Sequence, residues 1–158
     1  ARIVELAAEI RRDAPDAALH FIGVLKGSVF FLADLVRALP GTCTLDFIAV
    51  SRYAGGTTSS GEVRMLKDVD RGLQDRHVIV VEDIVDTGLT LAYLQDILRA
   101  RGPRTLRTAC LLSKPSRRKV EVPVDSIGFT IEDHFVVGYG LDFDQHYRHL
   151  PYIGVLTS

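Results

Sequence analysis

The stretch VVEDIVDTG, residues 80 to 88, sets Glu82, Asp83 and Asp86 within five residues at the end of an apolar run. Like charges there repel and lose water, which costs stability unless a cation or a hydroxyl-rich ligand meets them. Thr87, Gly88, Leu89 and Thr90 follow and lead into a helical pattern. Gly88 can take the positive φ of a tight turn, and the N–H groups of residues 87 to 90 would point outward at the helix start. Successive amides with two hydroxyls make a phosphate cradle. The carboxylates upstream would then face whatever carries that phosphate, and a polyhydroxylated sugar or Mg2+ satisfies them. The plainer reading is that Asp86 or Thr87 caps a helix while Glu82 and Asp83 stay solvated at a strand end. For a D-T-G alone that reading prevails; two further acids closing an apolar strand favour a ligand. Neither G-x-x-x-x-G-K-[ST] nor G-x-G-x-x-G fits, so nucleoside-triphosphate and dinucleotide folds lose support.

The elements that must position these groups follow from apolar spacing. Ile3, Leu6, Ala7 and Ile10 recur at helical intervals, and Pro15 stops the pattern. ALHFIGVL, ending at Leu25, is apolar almost throughout, as suits a strand covered on both faces. KGS breaks it, after which Phe31, Leu32, Leu35, Val36 and Leu39 outline an amphipathic helix closed by Pro40 and Gly41. CTLDFIAV predicts a second strand, and SRYAGGTTSSGE, residues 51 to 62, is a loop whose length places it among functional lids or disordered segments. HVIVVEDIV predicts the most buried strand, and Leu91, Tyr93, Leu94, Ile97 and Leu98 the next helix, ended by Gly102 and Pro103. TLRTACLLS is another strand, with shorter ones expected around SIGFTI, FVVGYG and YIGVL. Strand and helix alternate through residue 113, so the expected class is α/β: a mostly parallel, twisted sheet flanked by helices on both faces. Ligands of such sheets bind beyond the carboxyl ends of the strands, where VVEDIVDTG lies.

A length of 158 residues suits one domain, and 47% hydrophobic with 25% charged residues argues against disorder. With 19 basic against 20 acidic residues, the totals call for neither nucleic acid nor an anionic membrane. Cys43 and Cys110 lie in strand-like segments without C-x-x-C or a His at ligand spacing, so buried thiols in a reducing compartment are expected. No run is long and uncharged enough for a signal peptide or membrane span, and the cytoplasm is the expected location. Ala1, not Met, opens the sequence, which is compatible with a missing N-terminal piece.

VIVVEDIVDTGLT resembles the 5-phosphoribosyl 1-pyrophosphate signature of the type I phosphoribosyltransferases. GVLKGSVFFLADL, SGEVRMLKDVD, LLSKPSRR, FVVGYGLDF and YRHLPYIGVL resemble, in order, further motifs of the branch that acts on hypoxanthine and guanine. The likeness covers most of the chain from about residue 20 onward. It implies a single domain, residues 1–158, with a core over about 1–115 and a small base-binding hood built largely from about 116–158. It also implies transfer of the 5-phosphoribosyl group to hypoxanthine or guanine, giving IMP or GMP and pyrophosphate, with Mg2+, in a homodimer or homotetramer.

By the same resemblance, the donor's 5-phosphate would sit in the turn formed by Asp86, Thr87, Gly88, Leu89 and Thr90. Glu82 and Asp83 would receive the ribose hydroxyls directly or through Mg2+, and Asp86 would be the acid/base near purine N7. Lys26 and Gly27 fall in the pyrophosphate loop, where the family often carries a cis peptide. Arg148 resembles the arginine that clamps pyrophosphate, a role suited to a forked cation. Lys114 matches the donor to the purine 6-oxo group, Phe135 the ring that stacks on the base, and Val136 the backbone that reads its Watson–Crick edge. Asp142 resembles a carboxylate holding a second Mg2+ on the pyrophosphate side. Residues 51 to 62 would close as a lid, with Ser51 and Tyr53 as contacts, and keep water from an oxocarbenium-like sugar. Arg52 stands where many relatives carry serine, and Leu89 replaces a polar residue of the turn. Read without the family, Lys26 and Gly27 are a strand-to-helix turn, Lys114 an exposed strand-end lysine, and Arg148 a surface charge. Phe135 is then core, and Asp142 a turn residue.

A regulator on this fold that binds RNA or DNA would need a basic face. SKPSRRKV is the one candidate, and its small size beside Lys114 leaves no nucleic-acid partner expected. A sibling enzyme for xanthine or adenine differs in base choice; Lys114 argues against adenine, and xanthine stays open.

Overall fold

Strands that are apolar on both sides need cover on both faces, and among the described residues three α-helices supply it. The structure, a computed structural model, describes residues 1–52 and 63–157. In chain order the elements are α1 (Arg2–Asp13), β1 (Leu19–Leu25), α2 (Val29–Ala38), β2 (Cys43–Arg52), β3 (Val63–Lys67), β4 (His77–Val85), α3 (Leu89–Arg99) and β5 (Thr105–Ser113). A 3-10 turn (Pro115–Arg117), β6 (Ser126–Thr130), β7 (Val136–Val137) and β8 (Gly154–Val155) complete them.

The main sheet runs β3-β2-β1-β4-β5-β6, parallel except for β3, which pairs antiparallel with β2. Pleating separates the core into two halves. Phe21, Ile79 and Val81 face α1 and α2 with Leu6, Phe31 and Leu35, whereas Ile22, Val78 and Val80 face α3 with Leu91, Leu94 and Leu98. Each such fully buried side chain contributes about 1.5–3 kcal/mol over exposure. Chain order reverses between β1 and β4, so their carboxyl ends open a crevice at a topological switch point. The loop after β1 and the acidic turn after β4 flank it.

Several expectations change. β3 was not foreseen, because VRMLK alternates half-buried and exposed residues at the sheet edge and carries no continuous apolar run. β2 continues through Arg52, into the stretch read as loop; Tyr53 and the rest of that lid lie outside the described residues. β6 joins the main sheet beside β5, although it falls in the segment assigned to the hood. FVVGYG is extended over Val136 and Val137 only, since Gly138, Tyr139 and Gly140 all take positive φ and end the pairing with β8. Cys110 is buried and Cys43 only partly so, and both are free thiols. Among the described residues no helix is long and apolar enough to cross a membrane.

Candidate functional site

Gly88 opens α3 with φ +85°, and a Cβ there would come within 3.0 Å of Val122 Cγ1 and 3.2 Å of the Val120 carbonyl. Conformation and space both demand glycine. The turn's amides meet local acceptors: Thr87 N–H donates to Asp86 Oδ1 at 2.7 Å, and Leu89 N–H to Thr87 Oγ1 at 3.3 Å. Thr87 is buried, while Asp86, Leu89 and Thr90 are partly open.

Glu82 and Asp83, adjacent in sequence, leave β4 on opposite faces. Glu82 is 6% exposed and pairs in register with Cys110 on the α3 side. Burial and the Glu82 charge push the Cys110 thiol up to about 12. Asp83 turns toward the loop after β1, and a Cβ on Gly27 would lie on its carboxylate. Loss of water raises the Asp83 pKa to about 6, with Asp142 adding to the rise and the Ile84 N–H and Arg148 opposing it.

The opposite wall belongs to the strand end of β5 and the C-terminal segment. Lys114 is 8% exposed, with Nζ 3.6 Å from Asp133 Oδ1, and Arg117 reaches the same carboxylate at 3.5 Å. Phe135 is 52% exposed and meets Phe143 edge-on at 5.7 Å, while Val136 begins β7. A cavity of about 590 Å³ joins Asp83, Ile84 and Asp86 to Lys114, Phe135, Val136 and Asp142. A smaller one of about 220 Å³ runs from Glu82 and Asp83 along the turn to Thr90.

Beside Asp83 the Leu25–Lys26 peptide is cis. Lys26 Nζ and Arg148 Nη2 both donate to Gln145 Oε1 at 3.3 Å, and Arg148 Nη2 lies 3.4 Å from Asp142 Oδ1. Arg148 Nη1 donates to the Gly140 carbonyl at 2.5 Å, and its buried Nε has no partner among the described residues. Lys26, Asp142 and Arg148, which are 116 or more positions apart from the first to the others, therefore meet at one end of the cleft.

Sequence reasoning missed Asp133, Gln145 and the bond from the Tyr139 hydroxyl to Asp34, which ties the segment after β7 to α2. The adjacent acids Glu132 and Asp133 are the one local sequence signal for any of them. Ser51 sits half-buried at the end of β2 and pairs with Arg64. Among the described residues no group of three or more His, Cys, Asp or Glu side chains forms a metal cage on its own. Glu82, Asp83 and Asp142 are hard oxygen donors of the type Mg2+ takes when a ligand's oxygens complete its shell.

A mostly parallel sheet whose switch-point crevice carries an acidic turn, a buried lysine and an exposed aromatic defines an α/β protein that binds small ligands at its carboxyl edge. The chain belongs to the phosphoribosyl transferase domain family, whose model matches residues 1–144. It is 51% identical over 162 aligned positions to hypoxanthine-guanine phosphoribosyltransferase of Mycobacterium avium, covering 99% of this chain and 80% of that one. A crystal structure of a hypoxanthine-guanine phosphoribosyltransferase from Bacillus anthracis, with HEPES in its active site, superposes with a TM-score of 0.94 at 44% identity, over 99% of this chain and 92% of that one. Hypoxanthine phosphoribosyltransferase from Trypanosoma cruzi in complex with its product IMP gives a TM-score of 0.92 at 44% identity, over 99% and 88%.

Proposed function

We propose that this chain is a purine-salvage transferase that moves the 5-phosphoribosyl group from 5-phosphoribosyl 1-pyrophosphate to hypoxanthine or guanine, giving IMP or GMP and pyrophosphate. The observation that carries this reading is the single cleft in which Asp83 and Asp86 face Lys114, Phe135, Val136 and Asp142. Relatives of that activity match over nearly the whole chain.

The donor's 5-phosphate takes the amides and hydroxyls of residues 86 to 90, and its ribose hydroxyls take Glu82 and Asp83. Asp86 holds the proton exchanged with the purine, stabilising negative charge on the base as it leaves in one direction and its nucleophilicity in the other. Lys114 donates to the 6-oxo group, and an adenine amino group would leave that ammonium without an acceptor. Phe135 covers the ring and the Val136 backbone reads its edge. Arg148, with a buried Nε free of partners among the described residues, and the Lys26–Gly27 loop hold the pyrophosphate. The family's divalent metal is assigned as Mg2+: Glu82 and Asp83 would hold one ion on the ribose side and Asp142 a second on the pyrophosphate side. When bound it neutralises the donor's charge among these carboxylates. Ser51 contributes a hydroxyl on the sugar side, and the chain assembles as a homodimer or homotetramer.

Formation of IMP and GMP from each base, with and without Mg2+, tests the reading. Nucleotide product that depends on the metal is expected. No product from either base, with donor and metal saturating, would end it.

A further inference from the structure

In the basic run SKPSRRKV, residues 113 to 120, Arg117 and Lys119 are exposed, whereas Lys114 and Arg118 turn inward. Lys114 and Arg117 face Asp133. Arg118 is partly buried and grips the acidic turn. Its Nη1 donates to the carbonyls of Val85 and Asp86, each at 2.8 Å, with the Lys114 carbonyl a weaker third at 3.4 Å. Its Nη2 donates to Ser113 Oγ at 2.8 Å. Two main-chain amides extend the grip: Lys114 N–H reaches the Val85 carbonyl and Lys119 N–H the Thr87 carbonyl, both at 2.9 Å.

The carbonyls of Val85, Asp86 and Thr87 are thus all held from one side. A trans peptide unit is planar, so a carbonyl held one way directs the N–H of the following residue the other way. Those N–H groups belong to Asp86, Thr87 and Gly88, the first amides of the cradle. Ser113 closes β5 and Lys114 follows it, so the same guanidinium spans the two strand ends that carry the cradle and the base-site lysine.

We propose that Arg118 is a positioning residue for phosphoribosyl transfer: it locks the donor turn to the end of β5 and so sets the spacing between the phosphosugar and the base. The inference rests on the transferase reading above. A planar fork satisfies two carbonyls and a hydroxyl at once, whereas a lysine ammonium is a point charge on a flexible stem. Charge-assisted bonds of this kind, lost together with a displacement of reacting groups, lower rates by about ten- to a hundredfold.

The test compares the parental chain with Arg118→Lys and Arg118→Met. Donor affinity is measured by calorimetry with 5-phosphoribosyl 1-pyrophosphate and Mg2+, steady-state kinetics with hypoxanthine, and folding by thermal denaturation. Both variants should bind donor about tenfold more weakly and turn over about ten- to a hundredfold more slowly when folded. Methylguanidinium should restore part of the turnover of Arg118→Met and none of that of Asp86→Asn. Parental affinity and turnover in folded Arg118→Lys would overturn the role. So would a loss that merely follows the unfolded fraction and does not respond to methylguanidinium. If Arg118→Met does not fold, Arg118→Lys decides by affinity and turnover. A parental chain that makes no nucleotide would instead overturn the transferase reading itself.

Discussion

Replacing Gly27 by alanine probes the contact between the loop after β1 and the acidic end of β4. A Cβ at Gly27 would lie 2.7 Å from Asp83 Cγ and 3.4 Å from Asp83 Cβ, with Oδ2 closer still. Non-bonded carbons rest about 3.5–4.0 Å apart, so the overlap with the carboxyl carbon is on the order of 1 Å. Asp83 is not free to yield, because its Oδ1 accepts the Ile84 N–H at 2.7 Å. Either that bond breaks or the loop withdraws. Overpacking of this size costs about 1–3 kcal/mol of stability, and a 1 Å displacement of reacting groups costs up to about a hundredfold in rate. Gly27 is not among the glycines with positive φ, so alanine meets an obstacle of space alone. Gly72→Ala is the matching control, since nothing lies within 4 Å of a Cβ there. Thermal denaturation, donor calorimetry and kcat/KM with hypoxanthine should leave Gly72→Ala near the parent and lower all three for Gly27→Ala. Parental donor affinity and kcat/KM in Gly27→Ala would refute the close approach as a functional constraint.

Asp86→Asn should lower turnover by about 10²–10⁴-fold while calorimetry still detects donor binding; turnover at the parental rate would remove Asp86 from the acid/base role. Lys114→Gln, whose amide both donates and accepts, should narrow the preference for 6-oxopurines over adenine, and an unchanged ratio of kcat/KM values would refute the contact. His20 is buried in β1 with Nδ1 2.7 Å from Thr44 Oγ1, and burial, with Arg76 and Arg71, lowers its pKa against an opposing pull from Asp46. The unfolded chain takes that proton near about pH 6.5 and the folded chain only below it, so this part of the stability is present above about 6.5 and lost as pH falls toward the folded value. Urea midpoints at ~pH 7.5 and ~pH 5.5 should therefore differ more for the parent than for His20→Gln, and equal differences would refute it.

The parts readable from sequence were those in which neighbours in the chain are neighbours in function. VVEDIVDTGLT declares a buried strand, its acidic end and a glycine turn in eleven consecutive positions, and the structure keeps that order from β4 to α3. Cover on both faces was implied by the largely apolar runs of β1 and β4. Edge strand β3, half polar by alternation, gave no comparable signal, and Gly138 and Gly140 concealed how short β7 is.

Composition and spacing by themselves determined the α/β class, the strand that carries the acids and the turn that follows it, because burial and backbone freedom are properties of each residue and its immediate neighbours. Only the tertiary structure decided that Asp83 meets Gly27, that Arg118 grips the turn rather than the solvent, and that Gln145 joins Lys26 to Arg148. Those contacts arise from strand order and pleat, which bring chain segments far apart in sequence within hydrogen-bond reach, and no local pattern encodes which side chains will then meet.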